Sequence, residues 1–163
     1  MFTIRKTTEE DIPLVLDIFA YARQFMARTG NPNQWINGYP TREHLLQDMT
    51  EGNSYVCLDS EGELVGTFYF KIGEEPTYAR IYEGEWLDCE PYGVAHRIAS
   101  SGKQKGIALY CLDWCFRQCG NMRVDTHREN LVMQSILQKM GYKRCGIIYL
   151  LNGAERIAFQ KNS

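Results

Sequence analysis

The chain has 163 residues, 44% of them hydrophobic and 23% charged, with a net charge of −2 at neutral pH. This is the composition of a single globular domain, residues 1–163, with enough apolar side chains for a substantial core. The slightly acidic balance gives no general pull toward nucleic acid or an anionic membrane, and no apolar run approaches the roughly 20 residues of a membrane span. A cytoplasmic protein with small-molecule partners is therefore expected, with no nucleic-acid or membrane partner.

"FTIRK" (Phe2 to Lys6) alternates as a strand does, and "TTEED" follows with Thr8 as a helix cap. Val15, Ile18, Phe19, Ala22, Phe25 and Met26 recur at helical spacing, which predicts an amphipathic helix as far as about Arg28. "GNPNQWINGYP" (Gly30 to Pro40) is dense in turn formers yet carries Trp35 and Tyr39, the pattern of a loop that covers something. A short helix over about Thr41 to Met49 comes next. "SYVCLD" and "ELVGTFYFKI" then read as an antiparallel pair of strands joined at "SEGE".

From Gly73 to Pro91 no period holds, and Glu74, Glu75, Glu83, Glu85, Asp88 and Glu90 face only Arg80 in opposite charge. This acidic, aromatic insertion has two readings: a wall for a cationic acceptor, with Trp35, Tyr78, Tyr82 and Trp86 as contacts, or a solvated loop whose aromatics complete the core. "YGVAHRIA" (Tyr92 to Ala99) resumes as a strand, and a helix is expected from Lys103 to Cys119, ending at Gly120. "MRVDTH" is a further strand. Asn130 opens a helix whose Met133, Ile136, Leu137 and Met140 fall on one face. "YKRCGIIYL" and "ERIAFQK" flank Asn152-Gly153, a strong hairpin signal. The pattern predicts a mixed α/β fold with helices on both faces of one sheet.

The six cysteines sit mostly in apolar segments, which fits free thiols in a reducing compartment. Cys111, Cys115 and Cys119 are strung over successive helical turns, too far apart to close one tetrahedral zinc site, so no metal is expected.

The corner "SSGKQKGIA" carries the chemistry. A strand running into a helix presents unpaired N–H groups and the positive end of the helix dipole, a site for phosphate. Gly102, Gly106 and Ala108 cannot obstruct its approach, and Lys103 and Lys105 add charge. A Gly-rich turn before a helix is the competing reading, since neither GxxxxGK[ST] nor GxGxxG is present.

Lys103 to Ala108 resembles the [R/Q]xxGx[G/A] acyl-CoA pyrophosphate loop of the GNAT superfamily of N-acetyltransferases, and the order of elements agrees along the whole chain. "NLVMQSILQKMGY" is similar to that superfamily's NxxAxxLYxKxGF helix, with Asn130, Lys139, Gly141 and Tyr142 in register. "GNPNQW", "PTY", "HRIAS", "DTHREN" and "CG" resemble a bacterial subgroup of it, which leaves the acceptor open. Three departures stand out: Lys103 replaces the usual Arg or Gln, the corner is about one residue short of the family's loop, and Leu137 stands where many members carry a proton-donating Tyr.

The resemblance implies a mostly antiparallel sheet of about seven strands with a splay between the fourth and fifth. It also implies acetyl-CoA as acyl donor and a small-molecule or exposed primary amine as acceptor. Pantetheine would meet main-chain atoms of Ile98, Ala99 and Ser100, the pyrophosphate would meet Lys103, Gln104, Lys105, Gly106, Ile107 and Ala108, and Asn130 would shape the site. His96 is the first candidate base, on a strand face shared with Val94 and Ile98; a core imidazole tied to a carboxylate is its other reading. His127 is second, or else it positions the Asn130 loop, and Glu83 or Glu85 acting through a water is third. A non-catalytic acyl-CoA-binding module is the alternative function, and exposed aromatics or the terminal hairpin are compatible with a homodimer.

Overall fold

The computed structural model describes residues 1–163. Seven strands form one sheet: β1 (Thr3–Lys6), β2 (Ser54–Leu58), β3 (Leu64–Ile72), β4 (Gly93–Ser100), β5 (Asn121–Thr126), β6 (Lys143–Tyr149) and β7 (Glu155–Asn162), in the order β1-β2-β3-β4-β5-β7-β6. Every neighbouring pair is antiparallel except β4 and β5. Four helices complete the fold: α1 (Ile12–Arg28), α2 (Arg42–Thr50), α3 (Ile107–Cys119) and α4 (Leu131–Lys139). None is long and apolar enough to cross a membrane. The mixed α/β domain expected from the sequence is the observed architecture.

Three apolar clusters hold the layers together. On one face α3 and α4 bury Ile107, Cys111, Leu112, Cys115 and Leu137 against Phe68, Phe70 and Val124 of the sheet. On the other, α1 and α2 bury Val15, Phe19 and Leu45 against Val56 and Ala99. The acidic insertion covers the rest of that second face. Its Tyr78 packs on Tyr92, Val94, Ile148 and Ala158, where no helix reaches, and Tyr82 pairs with Ile147 on the free edge of β6.

Element ends differ from the sequence reading where side chains give no local signal. Thr8 and Asp11 cap a 3₁₀ turn, Glu9–Asp11, from which α1 continues. The helix expected from Lys103 begins at Ile107, because Gly106, with φ of +81°, takes the N-cap position in the left-handed region. Residues 101–106 are thereby left as a loop.

Two irregularities position the site. β4 and β5 pair only at Gly93–Met122 and Val94–Arg123, so beyond Val94 the β5-facing edge of β4 meets no strand. This is the expected splay. β4 also bulges: Thr67 pairs with Ala99 but Tyr69 with His96, so one extra residue lies on β4, and Arg97 there has φ of +51°. The bulge corrects the simple alternation read from sequence. Ala95 and Ile98 pack toward α3, whereas His96 beside Tyr69, Arg97 on Asp48 of α2 and Ala99 in the α1 cluster lie on the opposite face. His96 and Ile98 therefore do not share a face.

Candidate active site

A cleft of about 750 Å³ passes through the splay, joining the two faces of the sheet. On the α3/α4 side it is walled by Ile98, Leu112, Val124, Met133 and Leu137, and on the α1/α2 side by Trp35, Tyr39, Asp48, His96 and Arg97. An opening through a sheet is unusual because it interrupts both the ladder and the core. Here it leaves one edge of β4 free to receive an extended ligand as an added strand would be received.

The loop of residues 101–106 is held at both flanks. A Cβ on Gly102, whose φ is +77°, would lie 2.2 Å from the Tyr21 hydroxyl of α1, so only glycine fits. The Gln104 amide donates to Asp59 in the β2–β3 turn at 2.9 Å. From the second anchor onward, the N–H groups of Gln104, Lys105, Gly106, Ile107, Ala108 and Leu109 have no acceptor in the protein. The fixed N-terminus of α3 thus presents unpaired donors, with the exposed Lys103 and Lys105 beside them, as a pyrophosphate requires. The Gln104 side chain is committed to Asp59, so that residue has only its main chain to offer.

His96 lines the cleft, and its Nε2 meets Glu75 Oε1 at 2.8 Å. The other Glu75 oxygen accepts from the Thr77 N–H and hydroxyl, both at 3.2 Å. The hydrogen bond from His96 is the main cause that holds the Glu75 carboxyl down at about 2, against the cost of its burial. As a carboxylate, Glu75 only accepts, so the Nε2 facing it carries the hydrogen. In the neutral imidazole the lone pair is then on Nδ1, which has no partner in the protein. The sequence reading offered a base or an imidazole tied to a carboxylate. His96 has both the carboxylate partner and a place on the cleft.

Arg97 projects beside it. Its guanidinium donates twice to Asp48, at 2.8 Å each, and once to Tyr39 Oη at 2.8 Å, and it lies 4.9 Å over the Tyr69 ring. The loop from Gly30 to Pro40 is fixed through Gln34, whose Oε1 accepts from Asn130 Nδ2 at 2.9 Å, while Asn130 Oδ1 caps α4 by accepting the Met133 N–H at 2.9 Å. Asn130 shapes the cleft with both ends of its amide engaged. Trp35, edge-on to Phe19 and Tyr39, lines the cleft.

Four expected site residues lie elsewhere. His127 does not line the cleft; its Nδ1 accepts the Glu129 N–H at 3.0 Å and its carbonyl accepts the Asn130 N–H at 2.9 Å, so it holds the turn before α4. Glu83 is exposed at a positive φ beside Arg144 and Cys145 on the far side of β6, away from the cleft. Tyr78 is fully buried with its hydroxyl on Asp125 Oδ2 at 2.6 Å. Trp86 lies against Tyr78 and stacks on the Arg123 guanidinium at 4.3 Å. Tyr78 and Trp86 complete the core while Tyr82 is exposed, and the insertion's contribution to the cleft is Glu75 with Thr77. Glu75, Arg97, Asp48 and Arg156 were not singled out from sequence. The signals available were a charged residue on a sheet face, as in "ERIAF", and Glu75 next to "PTY".

Cys111 and Cys115 lie in the core, as their helical spacing on an apolar face suggests, and burial pushes the Cys115 thiol well above its ordinary range. No three His, Cys, Asp or Glu side chains are grouped so as to hold a metal ion.

No family model matches the sequence, and no curated protein matches it. Solved structures do. An acetyltransferase of the GNAT family from Streptococcus agalactiae is 34% identical with a TM-score of 0.89, the alignment covering 99% of this chain and 95% of that one. A GNAT-family acetyltransferase from Listeria monocytogenes, 18% identical over 99% of this chain and 95% of that one, shares the fold at a TM-score of 0.72. The NatC complex bound to Gag peptide and CoA includes a chain that is 14% identical, with a TM-score of 0.60 over 99% of this chain and 98% of that one. With a relative this similar over nearly its whole length, the chain belongs to the GNAT family of acetyltransferases.

Proposed function

We propose that the protein transfers an acetyl group from acetyl-CoA to a primary amine by direct attack. The observation that carries this reading is the His96–Glu75 pair on a cleft that runs through the open seam between β4 and β5. The unpaired N–H groups of 104–109, with Lys103 and Lys105, hold the pyrophosphate, and the free edge of β4 from Ile98 to Ser100 takes the pantetheine arm. The thioester is thereby directed along the seam toward His96.

His96 Nδ1 takes the proton from the acceptor amine. The amine nitrogen bonds to the thioester carbonyl carbon, the carbon–sulfur bond breaks, and the thiolate departs with the electron pair. Glu75 orients the imidazole through Nε2 and stabilises its protonated form, so the proton is held where the amine gives it up. Leu137 is fully buried and offers no acid, so the thiolate takes its proton from water.

That same absence favours the second reading, a non-catalytic acyl-CoA-binding module. Release of free thiol from acetyl-CoA over a panel of primary amines tests between them. Amine-dependent release above the rate without amine is expected. Binding of acetyl-CoA with no amine-dependent release from any member of a broad panel would favour the module.

A further inference from the structure

Arg156 on β7 is 7% exposed and lines the cleft that His96 also lines. A guanidinium has five N–H donors. In Arg156 two are used, both on main-chain carbonyls: Nη1 donates to Glu155 at 2.9 Å and Nη2 to Gln34 at 3.3 Å. None of the protein's ion pairs includes it. Asp125 on the neighbouring strand is close enough to favour its charge, but it gives its Oδ2 to the Tyr78 hydroxyl and makes no ion pair with Arg156. Burial is the largest influence on Arg156 and opposes that charge, so this cation is held at a cost.

Two other arginines with little exposure show what a structural role looks like here. Arg97 is paired in a fork with Asp48. Arg123 lies between the Trp86 and Tyr92 rings, 4.3 and 4.1 Å away, and its unused Nε is sealed inside the protein. Arg156 has neither a carboxylate nor an aromatic sandwich, and its Nε, which makes no hydrogen bond within the protein, is not sealed in the same way. The side chain lines a cavity large enough for a small molecule.

We infer that Arg156 is the anchor for a carboxylate on the acceptor, so that the amine acetylated at His96 belongs to a small molecule of amino-acid type. A planar fork of free N–H groups in a low-dielectric cleft suits a carboxylate better than a neutral group. This rests on the transferase reading, and it narrows the acceptor from amines in general to amines that carry an acid.

The test uses product-like probes. N-acetylated amino acids and their primary amides are titrated into the CoA-saturated protein, unaltered and as Arg156→Lys and Arg156→Gln, with folding checked by thermal melting. At least one acid is expected to bind about tenfold or more tighter than its own amide, the difference made by a charge-assisted hydrogen bond. That preference should vanish in Arg156→Gln and survive in part in Arg156→Lys. Saturation with CoA but no acid preferred over its amide, or a preference that persists in Arg156→Gln, overturns the assignment and leaves the transferase reading standing. Failure of the folded protein to bind CoA, seen before any probe is added, ends the transferase reading and this assignment with it.

Discussion

Replacing His96 with alanine is expected to lower kcat for acetyl transfer by about 10²- to 10⁴-fold, while the affinity for acetyl-CoA changes by no more than about twofold. The separation follows from where the residue sits. The free N–H groups and lysines proposed to hold the pyrophosphate are on the loop before α3, whereas His96 is on β4 facing Tyr69 and Glu75 on the α1/α2 side. Removing the imidazole leaves that loop and the β4 edge in place. It takes away a ring nitrogen on the cleft that has no partner in the protein and is proposed to accept the amine's proton. Activity retained at every pH from roughly 6 to 9 would remove His96 from the mechanism, since an imidazole base acts within that range.

Replacing Asp48 with alanine is expected to cost about 3–5 kcal/mol of stability, because it strands a largely buried guanidinium. Asp48 and Arg97 are only 10% and 15% exposed at their side chains, and the pair is bidentate. For a domain of this size the loss lowers Tm by roughly 10 °C or more, measurable by calorimetry. The double variant Asp48→Ala/Arg97→Ala should be less destabilised than Asp48→Ala alone, since it removes the unpaired charge as well. A single variant within about 1 kcal/mol of the unaltered protein would mean that water replaces the carboxylate and that the pair does not fix the bulge. The same pair keeps Tyr39 in place through Arg97 Nη1, so the stability of the bulge and the shape of the acceptor side are linked.

The strands and helices were legible because their apolar residues repeat at periods of two and 3.6, as in Val15, Ile18, Phe19 and Ala22. The loop before α3, with its free N–H groups, was legible for a different reason: glycines and lysines before a helix are a local signal. What escaped was non-local. The bulge at Arg97 depends on a positive φ that no glycine advertises, and it reverses which side chains share a face beyond His96. Glu75 lies in a segment without period, 21 residues from the imidazole it meets. Tyr78 and Trp86 look like an exposed aromatic wall only until one sees that no helix covers the second face beside β7; they fill that gap themselves.

The central claim is that the loop before α3 and the seam between β4 and β5 form one acyl-CoA site. Calorimetric titration of the folded protein with acetyl-CoA, dephospho-CoA, 4′-phosphopantetheine and pantetheine tests it most directly. The arrangement predicts that dephospho-CoA, which keeps the pyrophosphate, retains most of the affinity, and that the large loss comes when the pyrophosphate is removed. Equal affinity for acetyl-CoA and pantetheine, or no binding of either, would contradict it.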